Sequence, residues 1–209
     1  MQSNTTHRYA WIPLLALGLC GAAQAFVVPI APDKRALYLR VGDGDFSKRT
    51  YEQGGSPQSS SGPANTVWLD VPAAELGNNV PQLMKSTSRQ TSDWDGYTFC
   101  NINQTYIGGF YRSDNTGGSA TLTATVTADL TNPAGNTIPF SQINWSASGN
   151  GDAGAQPVPA GSFASPVQTL ASFQVNNWNE SCHTFSYANS LVVAAGTYTG
   201  TVTYTLASP

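Results

Sequence analysis

The feature that most constrains this chain is a period of two. In the stretch GTYTGTVTYTLASP, from Gly196 to Pro209, Tyr198, Gly200, Val202, Tyr204 and Leu206 fall on one parity. Thr197, Thr199, Thr201, Thr203 and Thr205 fall on the other. Side chains of an extended strand alternate between faces, so this stretch has one face for a core and one lined with hydroxyls. The pattern recurs. Leu37, Leu39 and Val41 alternate with Tyr38 and Arg40; Val67, Leu69 and Val71 alternate with Thr66, Trp68 and Asp70; Leu122, Ala124 and Val126 alternate with Thr121, Thr123, Thr125 and Thr127. Stretches 97–107, 138–146, 168–175 and 182–193 are also rich in strand-forming residues. The best helix candidate beyond the N-terminal apolar run is a turn or two around Ala73 to Leu83, interrupted by Gly77 and Pro81.

Turn chemistry separates these runs: GDGDF at Gly42, GGSPQSSSGPAN at Gly54, SDNTGGS at Ser113, NPAGN at Asn132 and GNGDAGAQPVPAG at Gly149. Many short alternating strands divided by Gly, Pro and Asn predict an all-β, antiparallel fold. An immunoglobulin-like β-sandwich is the first expectation and a jelly roll the second. The threonines of 121–127 and 197–205 should share a polar outer face. Because threonine is β-branched and suits strands, such a face needs no function of its own.

The N-terminus carries His7 and Arg8, an apolar run from Ala10 to Gly21, and Ala23-Gln24-Ala25. A basic start, a short apolar core and a small-x-small site predict a signal peptide over 1–25, cleaved after Ala25. The rival is lipidation at Cys20, but the bulky Leu19 stands where a lipoprotein signal has a small residue. Residues 26–209 then form one domain, secreted to the periplasm or cell surface, with no integral membrane segment left after cleavage. Within it, 54–65 reads as a flexible loop, with an N-terminal arm, 26–51, ahead of it. Cys100 and Cys182 remain, and two cysteines in an exported chain predict one disulfide. It would close a loop of about 80 residues, for which the chain-entropy model gives on the order of 4.5 kcal/mol.

Only 10% of the residues are charged and the net charge is −3. Without a basic patch to displace phosphate counterions, nucleic acid is excluded as a partner. No catalytic residues stand out. Glu180, Ser181 and His183 are neighbours, but neighbours on a strand face opposite ways, so they form no triad. His183 is expected at the surface or a strand edge. The expectation is a non-enzymatic protein with no cofactor and no metal. The nearest approach to a metal site is the Asp-x-Asp spacing of Asp43/Asp45 and Asp93/Asp95, which calcium loops also use. Trp145 and Trp178 are expected in the core. Trp94, Tyr97, Tyr106 and Tyr111 bracket the Gly108-Gly109 pair and form a candidate ligand-binding strip that would stack on glycans.

The ending AGTYTGTVTYTL, Ala195 to Leu206, resembles the terminal strand of secreted bacterial surface subunits of the spore coat protein U family, which includes archaic chaperone–usher pilins. Gly196 stands fourteen places from the C-terminus, where such pilins tend to have a glycine. The resemblance implies an incomplete sandwich whose missing strand comes from a neighbour's N-terminal arm, with like subunits or a periplasmic chaperone as partners. Leu37, Leu39 and Val41 would then be the strand-exchange residues that fill the pockets.

Overall fold

The computed structural model describes residues 27–42, 65–114, 117–164 and 166–209. The predicted signal peptide, Asp43 and Asp45, and nearly all of the glycine-serine loop lie outside them. The strands in chain order are β1 (Val27–Pro29), β2 (Ala36–Val41), β3 (Val67–Trp68), β4 (Gln82–Leu83), β5 (Lys85–Ser86), β6 (Thr105–Arg112), β7 (Ser119–Val126), β8 (Leu130–Thr131), β9 (Thr137–Ile138), β10 (Ile143–Ser148), β11 (Gly161–Ser162), β12 (Val167–Gln174), β13 (Asn177–Tyr187) and β14 (Val202–Ala207). Single 3₁₀ turns at Ala73–Glu75 and Phe140–Gln142 are the described helical segments. None is long or apolar enough to cross a membrane.

The fold is all-β, and every ladder between these strands is antiparallel. The larger sheet runs β11-β10-β13-β6-β2, with β1 and β4 flanking β13. The smaller runs β12-β7-β14. Between them lies the main core, with Leu122, Ala124, Val126, Leu170 and Phe173 from the smaller sheet and Ile107, Ile143, Trp145, Phe185 and Tyr187 from the larger. This is a two-sheet sandwich, and the alternation of β7 and β14 places its inner face as expected, although the terminal strand begins only at Val202 and leaves Thr197, Thr199 and Thr201 outside its ladder.

β6 and β13 do not alternate in burial; nearly all their residues are buried. The cause is a third layer. Residues 88–104 fold over the outer face of the larger sheet and enclose a second cluster: Ile30, Tyr38, Phe99, Cys100, Tyr106, Phe110, Trp178 and Cys182. The Cys100–Cys182 disulfide fastens this layer to β13 across 82 residues of sequence. It thus joins a sheet to its cover. The strand expected over 97–107 is mostly this cover, where Thr98 bridges Thr91, and the β6 ladder begins only at Thr105. The strand expected to continue to Val193 ends at Tyr187, where the chain turns through Asn189 at φ 54°.

On the smaller sheet Thr125 stands between Thr203 and Val167, and Thr123 between Thr205 and Thr169. Ser172 faces Thr121 beyond a bulge at Leu170. Directly opposed residues share a face, so the hydroxyl surface spans three strands. It carries no charged side chain.

β2 closes one side of the sandwich. It pairs with β6 over its full length, Ala36 with Arg112 through Val41 with Ile107. Its other edge takes no ladder partner among the described residues, although β14 runs alongside it. The Arg35 guanidinium ties the two ends together by donating to Ser208 Oγ and the Pro209 carbonyl oxygen. Leu37, Leu39 and Val41 of β2 and Val202, Tyr204 and Leu206 of β14 are all half-buried along this seam.

Candidate functional site

The most developed polar constellation lies under the cover. It is built on two cross-strand rows of the larger sheet, both facing outward. One row is Tyr38–Phe110–Trp178 and the next is Arg40–Gly108–Glu180. The first packs as rings: Tyr38 lies 5.8 Å from both Phe110 and Trp178, and is stacked on the latter. In the second, Gly108 has a specific purpose. The Tyr106 ring folds back across it, and a β-carbon there would collide with the phenol. Without that side chain, the Tyr106 hydroxyl reaches Glu180.

Glu180 is 1% exposed. Its Oε2 accepts from the Tyr106 hydroxyl at 2.7 Å, Ser92 Oγ at 2.8 Å and Trp178 Nε1 at 3.0 Å. Burial raises its carboxyl above the ordinary range; the three donated hydrogen bonds oppose that rise. The Tyr106 phenol is pushed up in turn, by burial first and by the neighbouring Glu180 charge second.

Asp93, from the cover, is the second anchor. Its Oδ2 accepts from the Tyr38 hydroxyl at 2.6 Å and from Arg40 Nε at 2.7 Å. Its Oδ1 meets Arg89 Nη1 at 3.0 Å. Its backbone N–H donates to the Tyr106 oxygen at 3.2 Å, which joins the two carboxylates into one network. The Arg40–Asp93 pair is almost fully enclosed, with side chains 3% and 2% exposed. Arg40 Nη1 and Nη2 have no hydrogen-bond partner among the described residues. Asp93 therefore already holds two guanidinium groups, which leaves no cation site at Asp93/Asp95. The Asp95 carboxylate caps its own turn by accepting from Tyr97 N–H at 2.8 Å. No cluster of His, Cys, Asp and Glu able to hold a metal occurs among the described residues.

The candidate aromatic strip is not a strip. Tyr106 and Tyr111 are buried, at 0% and 7% exposure, because the sheet that carries them is covered on both faces. Trp94 is half-buried and packs 6.2 Å from Trp178. Tyr97 alone of the four stands in solvent, 55% exposed. Trp145 and Trp178 are core residues, as expected.

His183 also departs from expectation, being fully buried on the inner face of β13. It stacks on Trp145 at 5.6 Å, and its Nε2–H donates to the Val158 carbonyl at 3.1 Å. Burial lowers its pKa to about 4, so the ring is neutral. Ser181, on the same face, accepts from the Val158 N–H at 3.0 Å. The two side chains clasp the backbone of one buried residue from the 149–161 loop. Glu180 faces the other way, so the trio forms no triad. Burial of this kind was invisible to the sequence, because β13 is central and its neighbours on both faces come from distant segments.

Leu37, Leu39 and Val41 line the inner face of β2, and Leu39 and Val41 pack against the main core. Gly109 stands opposite Leu39. A β-carbon on Gly109 would collide with the Tyr38 carbonyl oxygen and press on the Phe173 ring. The Gly108-Gly109 pair thus serves both faces of one strand: the first makes room for Tyr106, the second for close approach of β2. The chain matches no family model, no curated protein and no solved structure.

Proposed function

We propose that this is an exported, non-enzymatic structural subunit of a bacterial surface or fimbria-like assembly, built by exchange of the β2 strand between copies. The observation that carries the reading is the position of β2. It bridges the seam between the two sheets, it has a ladder partner on one edge only among the described residues, and the apolar residues on both sides of the seam are half-buried. A strand from another copy satisfies the same ladder groups and the same pockets, the physics of strand addition. The disulfide supports export, since such bonds persist in oxidising compartments. The network around Glu180 supports a structural role: its carboxylates and phenols are bonded to one another, although Arg40 Nη1 and Nη2 have no partner among the described residues. Glycan stacking loses its basis with Tyr106 and Tyr111 in the interior.

The test uses a chain lacking residues 26–51 and a synthetic peptide spanning 36–42. The truncated chain retains the disulfide, the smaller sheet and β6, and should bind the peptide with recovery of thermal stability. Leu39→Asp in the peptide should abolish capture, because an unpaired carboxylate would enter an apolar site. A full-length protein that stays monomeric at high concentration, with the truncated chain indifferent to the peptide, would sink this reading.

A further inference from the structure

The inner face of β2 cannot define its own register. Leu37, Leu39 and Val41 are three aliphatic residues at a spacing of two, so a slip of two residues replaces one with another at little cost. The outer face is different. Tyr38 and Arg40 both converge on Oδ2 of Asp93, and the Arg40 Nε also lies 3.0 Å from the Tyr38 hydroxyl. A one-residue slip would turn Arg40 into the apolar core. A two-residue slip would move it about 6.7 Å along the strand and set Tyr38 or Gly42, according to the direction, in its place. The pair is enclosed, so a mismatch takes the Arg40 guanidinium from its carboxylate and leaves Asp93 Oδ2 without an ionic partner, while Oδ1 keeps the more exposed Arg89.

We infer that the Arg40–Asp93 pair is the specificity element of the seam: it admits only an arm with aliphatic residues at alternate positions and a Tyr-x-Arg on the opposite face, and so selects a second copy of this chain. This rests on the strand-exchange reading above. The chain's other period-two segments are rejected by the same rule. Residues 67–71 have an equally aliphatic inner face but would bring Trp68 and Asp70 to the positions of Tyr38 and Arg40, setting a carboxylate against Asp93. The strand 122–126 offers only threonines there. Enclosed ion pairs add little net stability but are well suited to fixing register and partner.

The experiment uses full-length chains with two different affinity tags, refolded together with the disulfide intact, and counts mixed species by tandem pull-down and size-exclusion chromatography. Wild type with wild type should give mixed species. Arg40→Glu with itself and Asp93→Arg with itself should give at least tenfold fewer, since like charges meet in the seam. Arg40→Glu refolded with Asp93→Arg should restore them, because each arm then finds an opposite charge only in the other chain. Arg40→Met, which keeps the packed stem and no charge, should retain its far-UV spectrum yet enter wild-type seams at least tenfold less. If wild type exchanges and Arg40→Met exchanges equally well, or the charge-swapped pair is not rescued, the register lock is overturned and strand exchange stands. If wild type forms no mixed species, both are overturned.

Discussion

A neutral histidine in a core sets a lower pH limit on the fold. His183 is held uncharged by burial, with its pKa lowered to about 4, while an unfolded chain would titrate near 6.5. The unfolded state therefore binds the extra proton first. The contribution of this site is intact above about pH 6.5 and is lost as the pH falls toward 4, by up to about 3 kcal/mol. Melting temperatures of wild type and His183→Phe between pH 7 and 4 should diverge in slope, with the variant flatter over that window. Equal slopes would mean that the ring titrates freely in the folded protein. Glu180 works in the opposite direction: with its carboxyl raised, it favours the fold more as the pH falls. Neither residue declared itself in the sequence. For Glu180 a signal existed in the Gly108-Gly109 pair, which reads as a place where something approaches a strand closely.

At the level of single elements, what the sequence disclosed depended on how many faces a strand buries. β7 and β14 each have a wet side, so their period of two was legible and their inner residues were named correctly; β2 shows the same period, but its Tyr38 and Arg40 face, under the cover, is the more deeply buried. β6 and β13 are enclosed on both faces and lose the alternation, which is why their bounds and the burial of Tyr106, Tyr111 and His183 were missed. The cover, 88–104, has few regular elements of its own and owes its place to a disulfide, an ion pair and a turn, none of which leaves a periodic trace. The contact between β2 and β6 is a sharper case. Gly109→Ala should push β2 from β6 because the new methyl meets the Tyr38 carbonyl, an overpacking cost of about 1–3 kcal/mol. Hydrogen exchange should show β2 amides losing protection while β12 and β7 retain theirs. A uniform change across all strands would place the damage in the core instead.

The whole molecule is three layers stapled at one point. Thiol labelling of the unfolded, unreduced protein should find neither Cys100 nor Cys182 free. Replacing either with Ser should cost no more than about 4.5 kcal/mol, the chain-entropy figure for a loop of this size. The loss should appear first as exposure of Trp178 and Trp94 fluorescence to quencher, since the cover lifts before the sheets part. Two free thiols would refute the bridge.

The same staple has a mechanical meaning. In the assembly proposed above, tension would reach a subunit through β2 and β14. The bond spans 82 residues, including the whole of β6, β7, β10 and β12 and the first half of β13. Under tension those residues cannot pay out: roughly 280 Å of potential extension is withheld at about 3.4 Å per residue. A thread of such subunits would yield at its seams and terminal segments, stop short of full unravelling, and recoil onto the strands that the bridge encloses.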